Sequence, residues 1–470
     1  MKRFLLLLVF GLTATFVFSQ SDDDLFGGSE DDLFADESIV EVTDVSAKTD
    51  LSKGVLFDSG SIKIGGSLTA GIATNTVLFS AEDKTFGENL KDTKFKPDLS
   101  ALLSVDARPT ERLRIYTKFG FAYPFVDNIT GYYRANSNPS FVGLDANGSP
   151  IIGVKTQNSI TDWFKLKELF TDFSIKDTAF FRFGVHTVTW GAGYFFSPVS
   201  DMINTSSIDP ENPEAQVDGS LNLRTQIVFP NSQNCLWFYI IPSTNFTNQT
   251  AESYARDTAF AGKADILIGN WELGVGAYFK YQNAPKVMLT ATGSLKKISF
   301  FGEFVYSYGA AQEWAANKNW DNKTSIIQAT AGFSYYWKEP MITLAAQYYF
   351  NGNDVDFPMK NILYGSNLAA MVSFGKVFGS KDFTASIFAM ANFGRKEFSS
   401  QEITMMTMAG VDSATINSIS GASLTSTAML YYSPINEMKV GLGPSLTFYT
   451  FDKKPTMSLK LSATLGGGKF

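Results

Sequence analysis

From Val55 onward, apolar residues alternate with polar or small ones at a period of two. That period belongs to strands with one apolar and one polar face. In "RLRIYTKFGFAY", Leu113, Ile115, Thr117, Phe119, Phe121 and Tyr123 share one face, with Arg114, Tyr116, Lys118 and Gly120 on the other. "WELGVGAYFKYQ" sets Leu273, Val275, Ala277 and Phe279 against Glu272, Gly274, Gly276, Tyr278 and Lys280. The last run sets Met457, Leu459, Leu461, Ala463 and Leu465 against Ser458, Lys460, Ser462 and Thr464.

The connections sort by length. Long loops are expected at 75–95, 124–161, 191–217, 243–257, 309–322, 351–364 and 395–420. Short turns fall between them, at 106–111, 176–178, 230–234, 269–270, 295–297, 338–340, 376–381 and 433–436. The alternation lapses at 282–285, where a short link stands in for a long loop, and 450–456 is a second link. A soluble sandwich or propeller has no reason to sort its connections this way. Short turns at one end and longer loops at the other describe a transmembrane antiparallel up-and-down β-barrel with both chain ends on the short-turn side. Counting segments gives about 18 strands, with 16 as the alternative, over residues 55–470. Trp163, Trp190, Trp237, Trp271 and Trp337 fall near strand ends, where an aromatic girdle of the membrane belongs. The terminal Phe470 would suit a barrel, but it is out of phase with the Leu459 series across the glycines 466–468.

The N-terminus reads differently. Lys2 and Arg3 precede an apolar run to Phe18, which reads as a signal peptide over residues 1–19. Residues 20–54 follow as an acidic segment in which Asp-Asp-Leu-Phe occurs twice, at 23–26 and 31–34. Such a charge block buries too little apolar surface to fold alone and is expected to be a disordered periplasmic leader. Residues 21–50 carry eleven Asp or Glu and one Lys, so this leader accounts for the chain's net charge of −7, and the body beyond residue 50 is nearly neutral. No basic stripe points to nucleic acid. Beyond Gln20 no apolar window is long enough for a membrane helix. Outer membrane is the expected location.

A charged residue on the lipid face costs about 2–4 kcal/mol at the bilayer midplane, so charges in strands are expected to face inward. This gives a pore-lining set of Lys63, Arg114, Lys118, Glu168, Asp172, Arg182, His186, Arg224, Glu272, Lys280, Glu303, Lys439 and Lys460. Its basic excess favours anions, and facing charges of both signs would set up a field across the pore. On this reading Phe181→Lys, on the lipid face, disrupts assembly, while Arg182→Gln folds normally and alters ion selectivity.

Catalysis has little to draw on. The single histidine, His186, stands in mid-strand, and the single cysteine, Cys235, has no partner for a disulfide. Neither a Ser-His triad at the rim nor a multi-His metal site can be assembled, and no cofactor is expected.

Residues 166–204, "LKELFTDFSIKDTAFFRFGVHTVTWGAGYFFSPVSDMIN", resemble a hairpin of the alginate-export-type porins. The matching positions are Glu168, Arg182, Gly184, Trp190, Gly191, Pro198 and Asp201. His186 stands where that family usually has Gln, and Pro198 and Asp201 are spaced more widely than usual. The resemblance implies a barrel and a transport role, without a substrate. The leading expectation is an outer-membrane porin passing small hydrophilic or anionic solutes, oligosaccharides among them. Lipid, the outer-membrane assembly machinery and the solutes would be its partners, with the oligomeric state open. Two other readings stand beside it: an adhesin or scaffold displaying loops 124–161, 191–217 and 395–420, and a lateral transporter of hydrophobic substrates.

Overall fold

The computed structural model describes residues 48–50, 55–58, 60–80, 84–123, 129–132, 140–144, 150–155, 164–176, 178–213, 217–230, 232–243, 250–357, 363–394, 397–408, 416, 420–435, 437–450 and 455–469. The expected signal peptide, most of the expected leader, Trp163 and Phe470 lie outside them.

Among the described residues 18 strands form the wall. They are β1 (Ile62–Phe79), β2 (Phe95–Thr110), β3 (Leu113–Tyr123), β4 (Phe164–Ile175), β5 (Ala179–His186), β6 (Ser220–Val228), β7 (Cys235–Ile241), β8 (Ala259–Ile268) and β9 (Trp271–Lys280). The second half comprises β10 (Lys286–Leu295), β11 (Ile298–Tyr308), β12 (Ser325–Trp337), β13 (Ile342–Asn351), β14 (Gly365–Phe374), β15 (Phe383–Phe393), β16 (Ser423–Ile435), β17 (Met438–Tyr449) and β18 (Thr456–Lys469). Each pairs antiparallel with the next, and β18 pairs with β1 from Met457↔Phe79 to Lys469↔Ser67. The sheet closes into a barrel, which removes its edges.

Pairing also reaches into the segment expected to be a leader. Val55–Asp58 pairs with β1 through Phe57↔Ile64 and Asp58↔Lys63, and Lys48–Asp50 pairs with Val55–Asp58. These rungs extend the sheet just past the point where β18 ends on β1, and they bring Lys48–Asp50, from within residues 20–54, onto the rim of the wall.

Short turns join β2 to β3, β4 to β5 and so on around the ring, and the longer connections lie at the other end. Among the described residues four short helices sit in those longer loops: α1 (Phe86–Asp92), α2 (Ala251–Asp257), α3 (Ala311–Ala316) and α4 (Ser400–Met408). The loop after β3 carries its own sheet of Ile129–Tyr132, Ser140–Leu144 and Pro150–Lys155.

The two faces of the wall differ as the alternation requires. Ile115, Phe121, Leu169, Phe183, Phe238, Val275, Phe279, Leu289 and Leu461 are exposed around the outside. The inward residues fall into two groups. On β1 to β3, Ser67, Thr69, Ser104, Arg114 and Lys118 are half-buried. On β8 and β13 the inward positions Lys263, Asp265, Thr343, Ala345, Gln347 and Tyr349 are buried. Something fills the second half of the lumen.

Candidate functional site

The filling is the chain between β5 and β6. Alternation alone carries the fifth strand to Trp190, but the pairing of β5 with β6 ends at His186↔Ser220. The chain then leaves the wall. Asn204 takes the place of a strand partner for Val188, accepting its N–H at 2.8 Å and donating Nδ2–H to its carbonyl at 2.8 Å. Residues 195–200 are all buried.

Three wall side chains fasten this inward loop. Glu303 of β11 accepts the N–H groups of Ala192 and Gly193 at 2.6 Å each, that of Val199 at 2.9 Å, and the Ser197 hydroxyl at 2.9 Å. Charge-assisted bonds from several donors are what allow a carboxylate to sit dry. Gln347 of β13 accepts from Tyr194, Phe195 and Phe196 through Oε1 and donates to the Phe196 carbonyl at 2.7 Å. Lys263 of β8 donates to the Trp190 carbonyl at 2.8 Å and pairs with Asp265 at 2.9 Å. Together they satisfy backbone groups that a loop inside a barrel would otherwise leave unpaired.

Two glycines make the approach possible. A Cβ on Gly191 would stand 2.5 Å from Glu303 Oε1, and one on Gly193 would stand 1.8 Å from the Phe196 carbonyl oxygen. The sequence "WGAG" is therefore a demand of close packing. Apolar contacts complete the seat. Val188, Trp190, Val199 and Ile203 pack with Trp237, Tyr239, Met288 and Val305, while Phe195 and Phe196 pack with Ala345, Tyr349, Ala369 and Phe388. The loop thus leans on the wall from β7 round to β15.

Several expected site residues change role here. Glu303, His186, Arg182 and Arg224 face inward but are buried rather than lining open water. Arg182 makes a two-pronged pair with Asp172, at 2.6 and 2.9 Å, and its guanidinium lies 4.0 Å from the Phe170 ring centre. Arg224 lies over the Trp237 ring. His186 is 1% exposed, its Nδ1 3.3 Å from the Gly184 carbonyl and its ring edge-on to Phe170. Trp190 and Trp237, expected in the membrane girdle, are instead inside the lumen and 2% exposed. Trp190 donates Nε1–H to the Val199 carbonyl, and Trp237 donates to Asp265 at 2.7 Å. Trp271 and Trp337 are exposed at the short-turn end of the outer face.

The remaining expected residues stand on the unfilled side or near the ends. Arg114 is paired with Asp106 at 2.9 Å and lies 3.8 Å from Asp172. Lys63 stands opposite Asp106, and Lys118 opposite Glu168. Lys439 lies over the Tyr431 ring at 4.1 Å. Glu272 is exposed and Lys280 half-buried, on β9. Lys460 of β18 donates to Thr427 and lies 3.9 Å from Glu211, a residue of the inward loop. The loop therefore reaches the opposite wall as well.

At its exit the loop is clamped again. Asp218 accepts from Lys165 and Lys167, and its carbonyl accepts the N–H and hydroxyl of Thr205. Partial burial works to raise the Asp218 carboxyl, but the hydrogen bonds from the two lysines prevail and hold it below the ordinary carboxylate range.

Sequence reasoning did not single out Gln347, Lys263, Asp265, Asn204 or Asp218. Gln347 and Lys263 occupy inward phases of alternating strands, a signal available from the sequence. Their partners are not. Among the described residues no group of three or more His, Cys, Asp or Glu converges to hold a metal ion.

The chain matches no protein-family model and no curated protein. Among solved structures it aligns with OccK9 (OpdG) of Pseudomonas aeruginosa at 9% identity and a TM-score of 0.47, over 86% of this chain and 98% of that one. A BenF-like porin from Pseudomonas fluorescens Pf-5 aligns at 8% identity and 0.45, again over 86% and 98%. OpdK of Pseudomonas aeruginosa, solved with vanillate, aligns at 8% and 0.44 over the same shares.

Proposed function

We propose that this protein is a bacterial outer-membrane porin whose lumen is narrowed to one side by the chain between β5 and β6. The observation that carries the reading is the loop's attachment to Glu303. It fills the lumen along β7 to β15 and leaves polar, half-buried residues along β1 to β3. An exposed outer belt of Leu, Ile, Val and Phe is stable against lipid and not against water. The interior backbone and charges are satisfied within the protein, as a bilayer requires.

Residues 1–19 would direct export, and the acidic segment from residue 20 to the rim strand Lys48–Asp50 would run into the periplasm beside the short turns. Assembly would use the outer-membrane insertion machinery. The likeness of residues 166–204 to alginate-export-type porins belongs to the same reading. In that hairpin the Trp-Gly pair would start the inward turn. No enzymatic role or cofactor is proposed.

Solutes would pass along a wall bearing Lys63, Lys118 and Lys439, beside the point where Glu211 of the loop meets Lys460. Charges of opposite sign on facing surfaces set up a transverse field that orients polar solutes. Small hydrophilic and anionic solutes, oligosaccharides among them, fit this lining. Single-channel recording of the full chain in a planar bilayer tests it. Discrete steps with a reversal potential favouring anions are expected. A folded barrel without steps would mean a sealed lumen and would leave loop display as the function.

A further inference from the structure

The connection between β9 and β10 is short for the long-loop side and leaves a notch in the rim. The neighbouring loop between β11 and β12 leans over it. Together they form a groove of about 480 Å³ lined by Phe279, Tyr281, Gln282, Lys318, Trp320 and Asp321. Its floor belongs to the outer face of the wall, since Phe279 continues the outward series Leu273, Val275 and Ala277 and is itself exposed. Its lip carries one cation, one anion and two amides, Gln282 and Asn319.

The aromatic rings are held ready. Trp320 is 56% exposed, yet its ring stacks on Tyr308 at 6.2 Å and meets Trp314 edge-on at 5.2 Å. The Tyr308 hydroxyl donates to the Trp320 carbonyl at 2.7 Å. The loop is braced in turn by Glu313, which accepts from Thr324 and Ala310, and by Asp356, which accepts from Ala311 and Gln312. Arg256 lies 5.5 Å from the ring centre of Tyr281. An exposed tryptophan fixed from behind is a prepared contact surface.

We infer that this groove binds the head group of a neutral, sugar-bearing lipid of the outer leaflet. Apolar floor continuous with the lipid belt calls for an acylated ligand, and exposed ring faces beside donors and acceptors suit a sugar. Lys318 and Asp321 cancel in charge, so an anionic phosphate would gain the lysine and meet the aspartate, whereas hydroxyl groups can use both. The inference rests on the membrane placement proposed above and not on conduction.

The test is native mass spectrometry of the full chain released from phosphatidylcholine nanodiscs containing diglucosyl diacylglycerol. One retained glycolipid is expected, with retention reduced about tenfold in Trp320→Ala and largely kept in Trp320→Phe. Retention unchanged in Trp320→Ala would overturn the inference. So would equal, Trp320-dependent retention of phosphatidylglycerol, or displacement by maltose as effective as by the glycolipid. A preparation that retains glycolipid without conducting would overturn only the channel reading. One that conducts and retains none would overturn only this one.

Discussion

Glu303 and Gly193 stand 110 positions apart in the chain, and the Gly193 N–H donates to the Glu303 carboxylate at 2.6 Å. That bond and its neighbours turn a wall residue into the seat of a loop. An inward-facing carboxylate on a barrel strand is thus a structural group here, holding the shape of the lumen.

Replacing Glu303 with Ala should undock the loop. Three backbone N–H groups and a hydroxyl lose their acceptor, each buried unpaired group costing about 1–3 kcal/mol. The barrel, whose own pairing is untouched, should still fold and resist denaturant-free extraction as before. Single-channel conductance should rise, and Glu303→Gln, which keeps an acceptor, should fall between the two. Unchanged conductance in Glu303→Ala would show that the loop is held by its apolar contacts alone.

Arg182→Gln should not be the harmless change that alternation suggests. It strips the half-buried Asp172 of its closest partner and removes a cation from the Phe170 face. Losing charge-assisted hydrogen bonds of this kind costs about 1.5–3 kcal/mol. Phe181→Lys, at an outward position stacked on Phe173, should cost about 2–4 kcal/mol in a bilayer. Urea unfolding from lipid vesicles should therefore destabilise both variants. A wild-type midpoint for Arg182→Gln would mean that Arg114 takes over its partner.

Lys460 and Glu211 meet across the lumen at 3.9 Å, both partly open to solvent. Removing either charge should leave stability within about 0.5 kcal/mol. The pore should respond instead. Lys460→Gln should move the reversal potential toward cations and Glu211→Gln toward anions, both effects shrinking at high salt. Shifts of the same sign would show that the two do not line one passage.

Acid should loosen the loop's exit. The Asp218 carboxyl is depressed in the folded protein, so its contribution is fully present above the ordinary value of 3.8 and is lost as pH falls through the lower folded value. Amide exchange at Thr205 and Asp218 should speed up below that point. In Asp218→Asn the pH step should be missing. A step of the same size in the variant would assign the acid response to another carboxylate.

Alternation made the wall legible. The outward positions Ile115, Phe121, Phe183 and Val275 are exposed as their phase requires, because in a strand the side chain's face follows from parity alone. The sorting of short turns and long loops gave about 18 strands, with 16 left open, and implied a closed barrel for the same local reason. Trp237 was misread because "CLWFYII" is apolar on both faces, so its phase is silent. Its inward position emerges only from the bond to Asp265 on the next strand.

The sequence by itself therefore determined a barrel and its strand boundaries within a few residues, and it assigned the strand charges an inward phase. Only the tertiary structure decided what those charges do. Parity is a property of neighbours in the chain, whereas the seat of residues 190–199 depends on Glu303 and Gln347 arriving from strands more than 100 positions away. A loop's path has no period to read. It is set by which buried donors find acceptors, and that is known only once the barrel has closed around them.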